Sequence, residues 1–302
     1  MSGRPGKFLD FCPPLWDNTN MILDSHTHIF PPELIARREQ LLASEPWFGC
    51  LYANPKAKMA TAEQLITAMD AAGVDCALTF GFGWRDPGLC RVSNDYVCEA
   101  VRTYPGRLMG SAVVNPAVPG AEAEVARAAS TGAFHGIGEL MPDGQQCTLD
   151  DVDLLAPVME AAQALSWPVL THASEPVGHD YPGKGCPSLA SAVHLAERFP
   201  QTTIVLAHWG GGLFFYELMP EVRRALARVY YDTAASPLLY DDAIFNVAVL
   251  MASHKILFGT DYPLLGPKRL LERVRGTGIA DRELGKLVGG NAAQVFGLSS
   301  CP

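Results

Sequence analysis

The sequence predicts a (β/α)8 barrel of the TIM type with an insertion after strand one. Eight short apolar runs, most of them rich in β-branched residues, recur at 21–26, 74–80, 107–114, 134–140, 168–173, 203–209, 229–234 and 255–261. After a first gap of 53 residues, their starts lie 26 to 35 residues apart. A strand–helix unit takes roughly 30 residues, so the runs read as consecutive units of one parallel sheet. Most are near-continuously apolar, as parallel strands covered by helices are. An open doubly wound sheet is the alternative. It usually has fewer strands and a glycine-rich first turn, whereas here the first run leads into His28-Ile29-Phe30-Pro31-Pro32.

Taken in order, residues 1–20 are rich in Pro, Gly and Asn and predict an irregular N-terminal arm; they contain no apolar core of a secretory signal. Residues 21–302 are then a single barrel domain. The long first spacing places an insertion at about 31–60, on the catalytic face, where it would cap the site. Thr61 to Ala72 opens with T-A-E-Q and closes at Gly73, a helix with start and stop signals. Asp151 to Ala164, Ser188 to Phe199 and Asp241 to Ser253 repeat the helical theme.

Composition narrows the function. Of 302 residues, 48% are apolar and only 18% charged, against a usual charged share of about 25%. That excludes a disordered chain, and no apolar run approaches the ~18 residues of a membrane span. The net charge of −9 leaves no basic footprint for nucleic acid. Eight cysteines without a CxxC pair predict reduced, mostly buried thiols and a cytoplasmic setting, not a disulfide framework. The expected partner is a small-molecule substrate, with no nucleic acid and no membrane; a homodimer is compatible with this reading.

Barrel enzymes carry their chemistry at the C-terminal ends of strands. Here strand one ends in Asp24-Ser25-His26-Thr27-His28, strand four at Glu139, strand five at His172, strand six at His208 and strand eight at Asp261. Alternation along a strand puts Ile22, Asp24, His26 and His28 on one face. A lone histidine at a strand end is more often structural. Two inward histidines one pleat apart are costly to bury without a partner, and the same pole recurs in strands five, six and eight. His, Asp and Glu suit Zn²⁺, Mn²⁺ or Fe²⁺. Asp24, one pleat deeper, is expected to orient a ligand. His135, His194 and His254 fall elsewhere and read as surface or core residues.

These residues resemble a known family. D-S-H-T-H-I-F at 24–30, T-H-A at 171–173, A-H-W-G-G at 207–211, F-G-T-D-Y-P at 258–263 and G-N-A-A-Q-V-F-G-L at 290–298 are similar to the amidohydrolase superfamily. Its amidohydrolase-2 branch, which includes aminocarboxymuconate-semialdehyde decarboxylase-like enzymes, is the best match. The resemblance spans 21 to 298 and implies a metal-dependent barrel of hydrolase type. Carried over by position, it implies one divalent ion, Zn²⁺ first, on His26, His28, His172 and Asp261, with His208 and Asp261 catalytic. G-I-G-E at 136–139 instead resembles the TatD deoxyribonuclease branch. There Glu139 would help hold two metals, with His172 and His208 as ligands of the second. The urease-type carboxylated lysine has no counterpart on strand four.

A divalent ion with an open position lowers the pKa of bound water to about 7. Asp261 would take the water's proton and His208 would stabilise the oxyanion. The expected reaction is hydrolysis of an amide, ester or lactone in a small carboxylate-bearing substrate. The alternatives are non-oxidative decarboxylation of an aromatic or unsaturated acid, and two-metal phosphodiester cleavage. A metal-binding scaffold without activity is the non-enzymatic alternative, against which the complete residue set argues. Loops after strands two and five suggest the substrate groups: Trp84 and Tyr181 as an aromatic wall, Arg85 and Lys184 as carboxylate binders, with His179 a further site or surface residue.

Overall fold

The computed structural model describes residues 21–185 and 188–298; the N-terminal arm expected at 1–20 lies outside them. Eight parallel strands follow one another around a sheet in chain order. They are β1 (Leu23–His28), β2 (Cys76–Phe80), β3 (Leu108–Ala112), β4 (Phe134–Leu140), β5 (Val169–Thr171), β6 (Ile204–Leu206), β7 (Val229–Asp232) and β8 (Ile256–Leu257). The last is only two residues long, and the segment beyond it closes the ring against β1. Ser25 N–H donates to Phe258 O at 2.8 Å, Asp261 N–H to His26 O at 2.9 Å and His28 N–H to Tyr262 O at 2.7 Å. This is the (β/α)8 barrel that the spacing of the apolar runs predicts.

The strands are shorter than the apolar runs because several run ends leave the ladder to build the site. Helices between them bury one face each. Ala62–Ala72 starts with a capping box of Thr61 and Gln64 and stops at left-handed Gly73, as its sequence signals. Leu189–Arg198 is capped by Ser188, whose hydroxyl accepts from Ser191 N–H. Val152–Leu165 and Ala243–Ala252 occupy the other two expected segments.

The core has two layers. Ile22, Ala77, Val169, Ile204 and Ile256 pack under the helices. Leu23, Leu78, Phe80, Leu170, Val205 and Leu257 fill the interior and run on into the insertion through Phe82 and Trp84. Ile22 therefore does not share the face of His26 and His28. The β1–β2 register shifts between Asp24 and Thr27, and a bulge of that kind re-aims the residues beyond it.

The insertion is three short helices, Pro32–Ala36, Arg38–Ser44 and Pro46–Tyr52. Two buried or bridging polar groups hold it. The Glu45 carboxylate accepts from the N–H groups of Arg85 at 2.8 Å and Asp86 at 3.2 Å. The Arg38 guanidinium donates to the carbonyls of Tyr52 at 2.6 Å, Asn54 at 2.7 Å and Ala57 at 2.9 Å. Cys50 is exposed and Cys76, Cys90, Cys98 and Cys147 are buried. Among the described residues, no helix is long and apolar enough to cross a membrane.

Candidate metal centre

Six side chains converge at the C-terminal pole of the barrel. Nε2 of His26 lies 3.3 Å from Nε2 of His28, 3.6 Å from Glu139 Oε2 and 3.8 Å from Asp261 Oδ1. Nε2 of His28 lies 3.5 Å from the same Glu139 oxygen and 3.4 Å from Asp261 Oδ1. The other oxygen of Glu139 is 3.0 Å from His172 Nδ1 and 3.9 Å from His208 Nε2. Asp261 is the most exposed of the six, at 16% of its side chain.

The outer nitrogens of the four imidazoles fix which atoms face inward. His26 Nδ1 is 2.8 Å from Asp232 Oδ2, His28 Nδ1 3.0 Å from Gly81 O, His172 Nε2 2.9 Å from Gly183 O and His208 Nδ1 3.1 Å from Ala234 O. Each of these partners accepts a hydrogen bond, so each neutral ring carries its hydrogen on the outer nitrogen. The four inner nitrogens then present lone pairs toward two carboxylates. Six acceptors facing one another in a buried pocket are unfavourable without a cation among them. Imidazole and carboxylate together are the donor set of a divalent metal, and the cluster is a divalent-metal-binding one.

The local field points the same way. Burial alone would push the His26 imidazole down, but Asp232 and Glu139 raise it well above its ordinary value. Burial also opposes a proton on His172, yet Glu139 raises it. Burial would raise the carboxyls of Glu139 and Asp261. His26 and His172 hold the first well below the usual carboxylate range, and a bond from His28 lowers the second. His208 is lowered by burial and by the neighbouring His172. A field that favours protons on these rings also favours a metal cation, and the two compete.

The site brings His26, His28, Glu139, His172, His208 and Asp261 together, but not in the expected foursome. The donor atoms fall into two trios, His26–His28–Asp261 and Glu139–His172–His208, each with all members within 4.8 Å of one another. His172 sits with Glu139 and His208. Asp24 faces away from the cluster. Its carboxylate accepts from Thr260 Oγ1 at 2.6 Å, Thr260 N–H at 3.0 Å and His26 N–H at 3.3 Å. Burial pushes it up to about 7, and it ties β1 to the segment carrying Asp261.

Glycines let the backbone into position. Gly138 has φ +111°, and a Cβ there would land on the Leu170 carbonyl oxygen. The chain from His208 to Gly212 is left-handed throughout, and a Cβ on Gly211 would strike Ser174 O. The glycine run thus lets the turn carrying His208 pack against the loop after β5.

A cavity of about 520 Å³ opens above the cluster. His172, His208 and Asp261 reach it, and Leu51, Leu238, Leu239, Leu264 and Tyr181 supply much of its wall. His179 lies at this cavity, exposed. The other expected substrate groups are placed differently. Trp84 is wholly buried, its Nε1–H on Ser93 Oγ at 2.8 Å and its ring 4.9 Å from Phe82 and 5.0 Å from Phe48. It seals the insertion to the barrel rather than forming a wall with Tyr181, because strand two's loop is covered by the insertion. The exposed Arg85 is not among the cavity-lining residues. Lys184 Nζ donates to His179 O at 3.0 Å and Gly178 O at 3.2 Å; it clips its own loop. His135 is half-buried on β4, His194 pairs with Asp150 at 3.2 Å on the surface and His254 is exposed.

Two residues went unnoticed in the sequence. Asp232 is fully buried, holds His26 and accepts from His208 N–H at 3.0 Å and Ala234 N–H at 3.0 Å. It ends β7, so the strand-end rule that found the others also covers it. Tyr52 stacks on Phe48 at 4.5 Å and is raised by burial and by the nearby Asp261 and Glu139 charges; no strand-end signal marks it.

Fold and cluster together define a metal-dependent (β/α)8-barrel enzyme. The chain belongs to the amidohydrolase family, whose model matches residues 23–298. No curated protein matches it at a significant level. Among solved structures it is similar to 5-carboxyvanillate decarboxylase from Sphingomonas paucimobilis, with a TM-score of 0.76 and 18% identity over 92% of this chain and 99% of that one. The corresponding enzyme from Novosphingobium aromaticivorans, solved with manganese and 4-hydroxy-3-methoxy-5-nitrobenzoic acid, gives 0.73 and 17% over 93% and 97%. 2,6-Dihydroxybenzoate decarboxylase from Rhizobium gives 0.66 and 19% over 93% and 99%.

Proposed function

We propose that the protein is a metal-dependent, non-oxidative decarboxylase of an aromatic or unsaturated carboxylic acid. The observation that carries this reading is the cavity. Its floor is polar where His172, His208 and Asp261 surface, and most of its wall is apolar or aromatic. A flat acid would enter with its carboxylate toward the cluster and its ring against Leu51, Leu238, Leu239 and Tyr181. The similar solved structures named above, three decarboxylases of hydroxybenzoate-type acids, support the same substrate class.

A divalent ion on His26, His28 and Asp261 would supply the positive charge that anchors the substrate carboxylate. We favour Mn²⁺ over the Zn²⁺ expected from sequence, since one relative holds manganese. Asp261, protonated from solvent through the cavity, delivers its proton to the carbon bearing the carboxylate. The carbon–carboxylate bond then breaks, its electron pair returns to the ring and CO₂ leaves. The apolar wall strips water from the carboxylate and so favours its loss as a neutral molecule.

Hydrolysis of an ester, amide or lactone is the second reading. It is favoured by the depressed Asp261 carboxyl, which suits a base. Phosphodiester cleavage finds little support in a wall whose only lysine or arginine is Lys56. The test is an assay of the Mn²⁺-loaded enzyme on hydroxybenzoic acids and aryl lactones. CO₂ release with loss of the acid is expected. Carboxylate release from lactones, with no CO₂ from any acid, would reverse the assignment.

A further inference from the structure

Resting on the decarboxylase reading above for the reacting end of the substrate, we infer that the acid carries a tail ending in an oxyanion. The tail leaves the cavity and is held in a neighbouring groove by Lys56 and Lys58.

The groove has a volume of about 640 Å³. It lies between the insertion, the helix Ala62–Ala72 and the segment after Asp261. Its apolar lining includes Ile35, Met59, Tyr262 and Pro263, and its charged lining is Arg38, Lys56 and Lys58. No carboxylate lines it. In a chain of net charge −9 that is a local reversal of sign. A concave surface lined by one sign of charge gathers ions of the other.

The three cations differ in what they have left to offer. Arg38 donates to the carbonyls of Tyr52, Asn54 and Ala57, so it adds charge but its guanidinium is already engaged. Lys56 and Lys58 are exposed, and neither pairs with a carboxylate among the described residues. Lys184 and Lys286, by contrast, lie 3.6 Å from Asp180 and 2.8 Å from Glu283. An exposed lysine is ordinarily just solvated. These two stand together in a groove free of acids, beside the reaction cavity.

Continuity ties the groove to the reaction. Lys56, Ala57 and Leu264 line both the groove and the cavity above the metal cluster. Leu264 is 57% exposed and marks the divide, three residues beyond Asp261. A tail leaving the ring crosses Leu264 and Ala57, lays its methylenes on Met59 and Pro263 and ends at the lysines. Each space falls within the ~300–1,000 Å³ of ordinary ligand sites, so together they admit a molecule longer than one ring. The ammonium of lysine is a point charge with rotatable donors. It accepts a carboxylate or a phosphate without demanding one geometry.

The experiment is calorimetric titration of the Mn²⁺-loaded full-length protein. The probes are 2-hydroxybenzoic acids bearing an alkyl chain of graded length that ends in methyl, carboxylate or phosphate. At one chain length or more, an oxyanion-ended acid should bind about fivefold tighter than its methyl-ended match. The gap should shrink with added salt. Lys56→Glu and Lys58→Glu should each narrow it, and the double variant should abolish it. Arg224→Glu makes the same change of charge outside both linings and should preserve it. Whichever of carboxylate and phosphate shows the larger gap identifies the head group. Equal affinities at every chain length, undetectable binding included, would overturn the subsite, as would a gap that survives in the double variant. Failure of the decarboxylase reading would appear separately, as no CO₂ from any of these acids while the tail preference stands.

Discussion

Oδ2 of Asp232 lies 2.8 Å from Nδ1 of His26, with both side chains fully buried. The other oxygen of Asp232 is bonded to two backbone N–H groups, so the carboxylate cannot swing away. It therefore forces the hydrogen of His26 onto the outer nitrogen and the lone pair into the site. Asp232→Asn keeps the backbone bonds but turns an amide N–H toward His26 and reverses the tautomer. Metal affinity should fall about 10- to 100-fold with the fold intact, as measured by competition with a chelator. Unchanged affinity would remove Asp232 from the metal site.

Removing metal should cost stability by mass action. At free metal 100 times Kd the native state gains about 2.7 kcal/mol, roughly 4 °C in a chain of this size. Differential scanning calorimetry before and after chelation checks this; identical melting curves would contradict a metal-holding cluster.

Metal affinity should rise with pH. His26 and His172 are raised in the folded protein above the ordinary 6.5. Without metal, their protonated forms therefore stabilise the fold fully below about pH 6.5, and this contribution is lost as pH rises through the raised values. Binding metal displaces those protons, so affinity should drop on going from pH 8 to 6, approaching tenfold per pH unit for each proton displaced. Glu139 and Asp261 act with the opposite sign: their stabilisation is present above the ordinary carboxyl range and lost only in stronger acid. Calorimetric titrations at several pH values decide; a flat profile would mean the rings are already deprotonated.

Gly138→Ala should be destabilising by about 1 kcal/mol or more, because φ +111° and the Leu170 carbonyl leave no room for a methyl group. Relief requires β4 to move, and Glu139 moves with it. Urea unfolding should show the loss of stability, and metal content of the folded fraction should fall. A variant with parental stability and metal content would show that strand four yields without cost.

A second stability test lies far from the site. Lys255 Nζ meets Glu217 Oε1 at 2.7 Å, and Tyr231 donates to the same oxygen at 3.0 Å, all buried. Lys255→Met leaves Glu217 without its cation and should cost about 3–5 kcal/mol. Adding Glu217→Gln should recover part of that, which paired denaturation curves would reveal.

The eight strands were legible because apolar runs at one strand–helix spacing admit few topologies. His26, His28, Glu139, His172, His208 and Asp261 were legible because a polar residue ending an apolar strand stands out. Their division into two trios was legible only as one of two alternatives, the TatD-like one. It depends on which ring nitrogen faces inward, and that is set by carbonyls of Gly81, Gly183 and Ala234, which follow other parts of the chain. Trp84, Arg85 and Lys184 were misread for a related reason. Their partners are an insertion held to strand two's loop by Glu45, some forty positions upstream, and a loop that Lys184 closes on itself.

The stretch from Leu51 to Ala57 puts Leu51, Asn54, Lys56 and Ala57 on the cavity wall, and Arg38 fastens it through three main-chain carbonyls and the ring of Tyr52. Carbonyls are present whatever the side chains are. Amino-acid identity at positions 51, 56 and 57 is thereby uncoupled from backbone shape and from the donors below, whereas Asn54 shapes the turn itself, its Oδ1 accepting from Lys56 N–H at 3.0 Å. Selection, natural or in the laboratory, has a short cassette through which acid preference can drift while the reaction machinery stays constant, provided Arg38 is left in place.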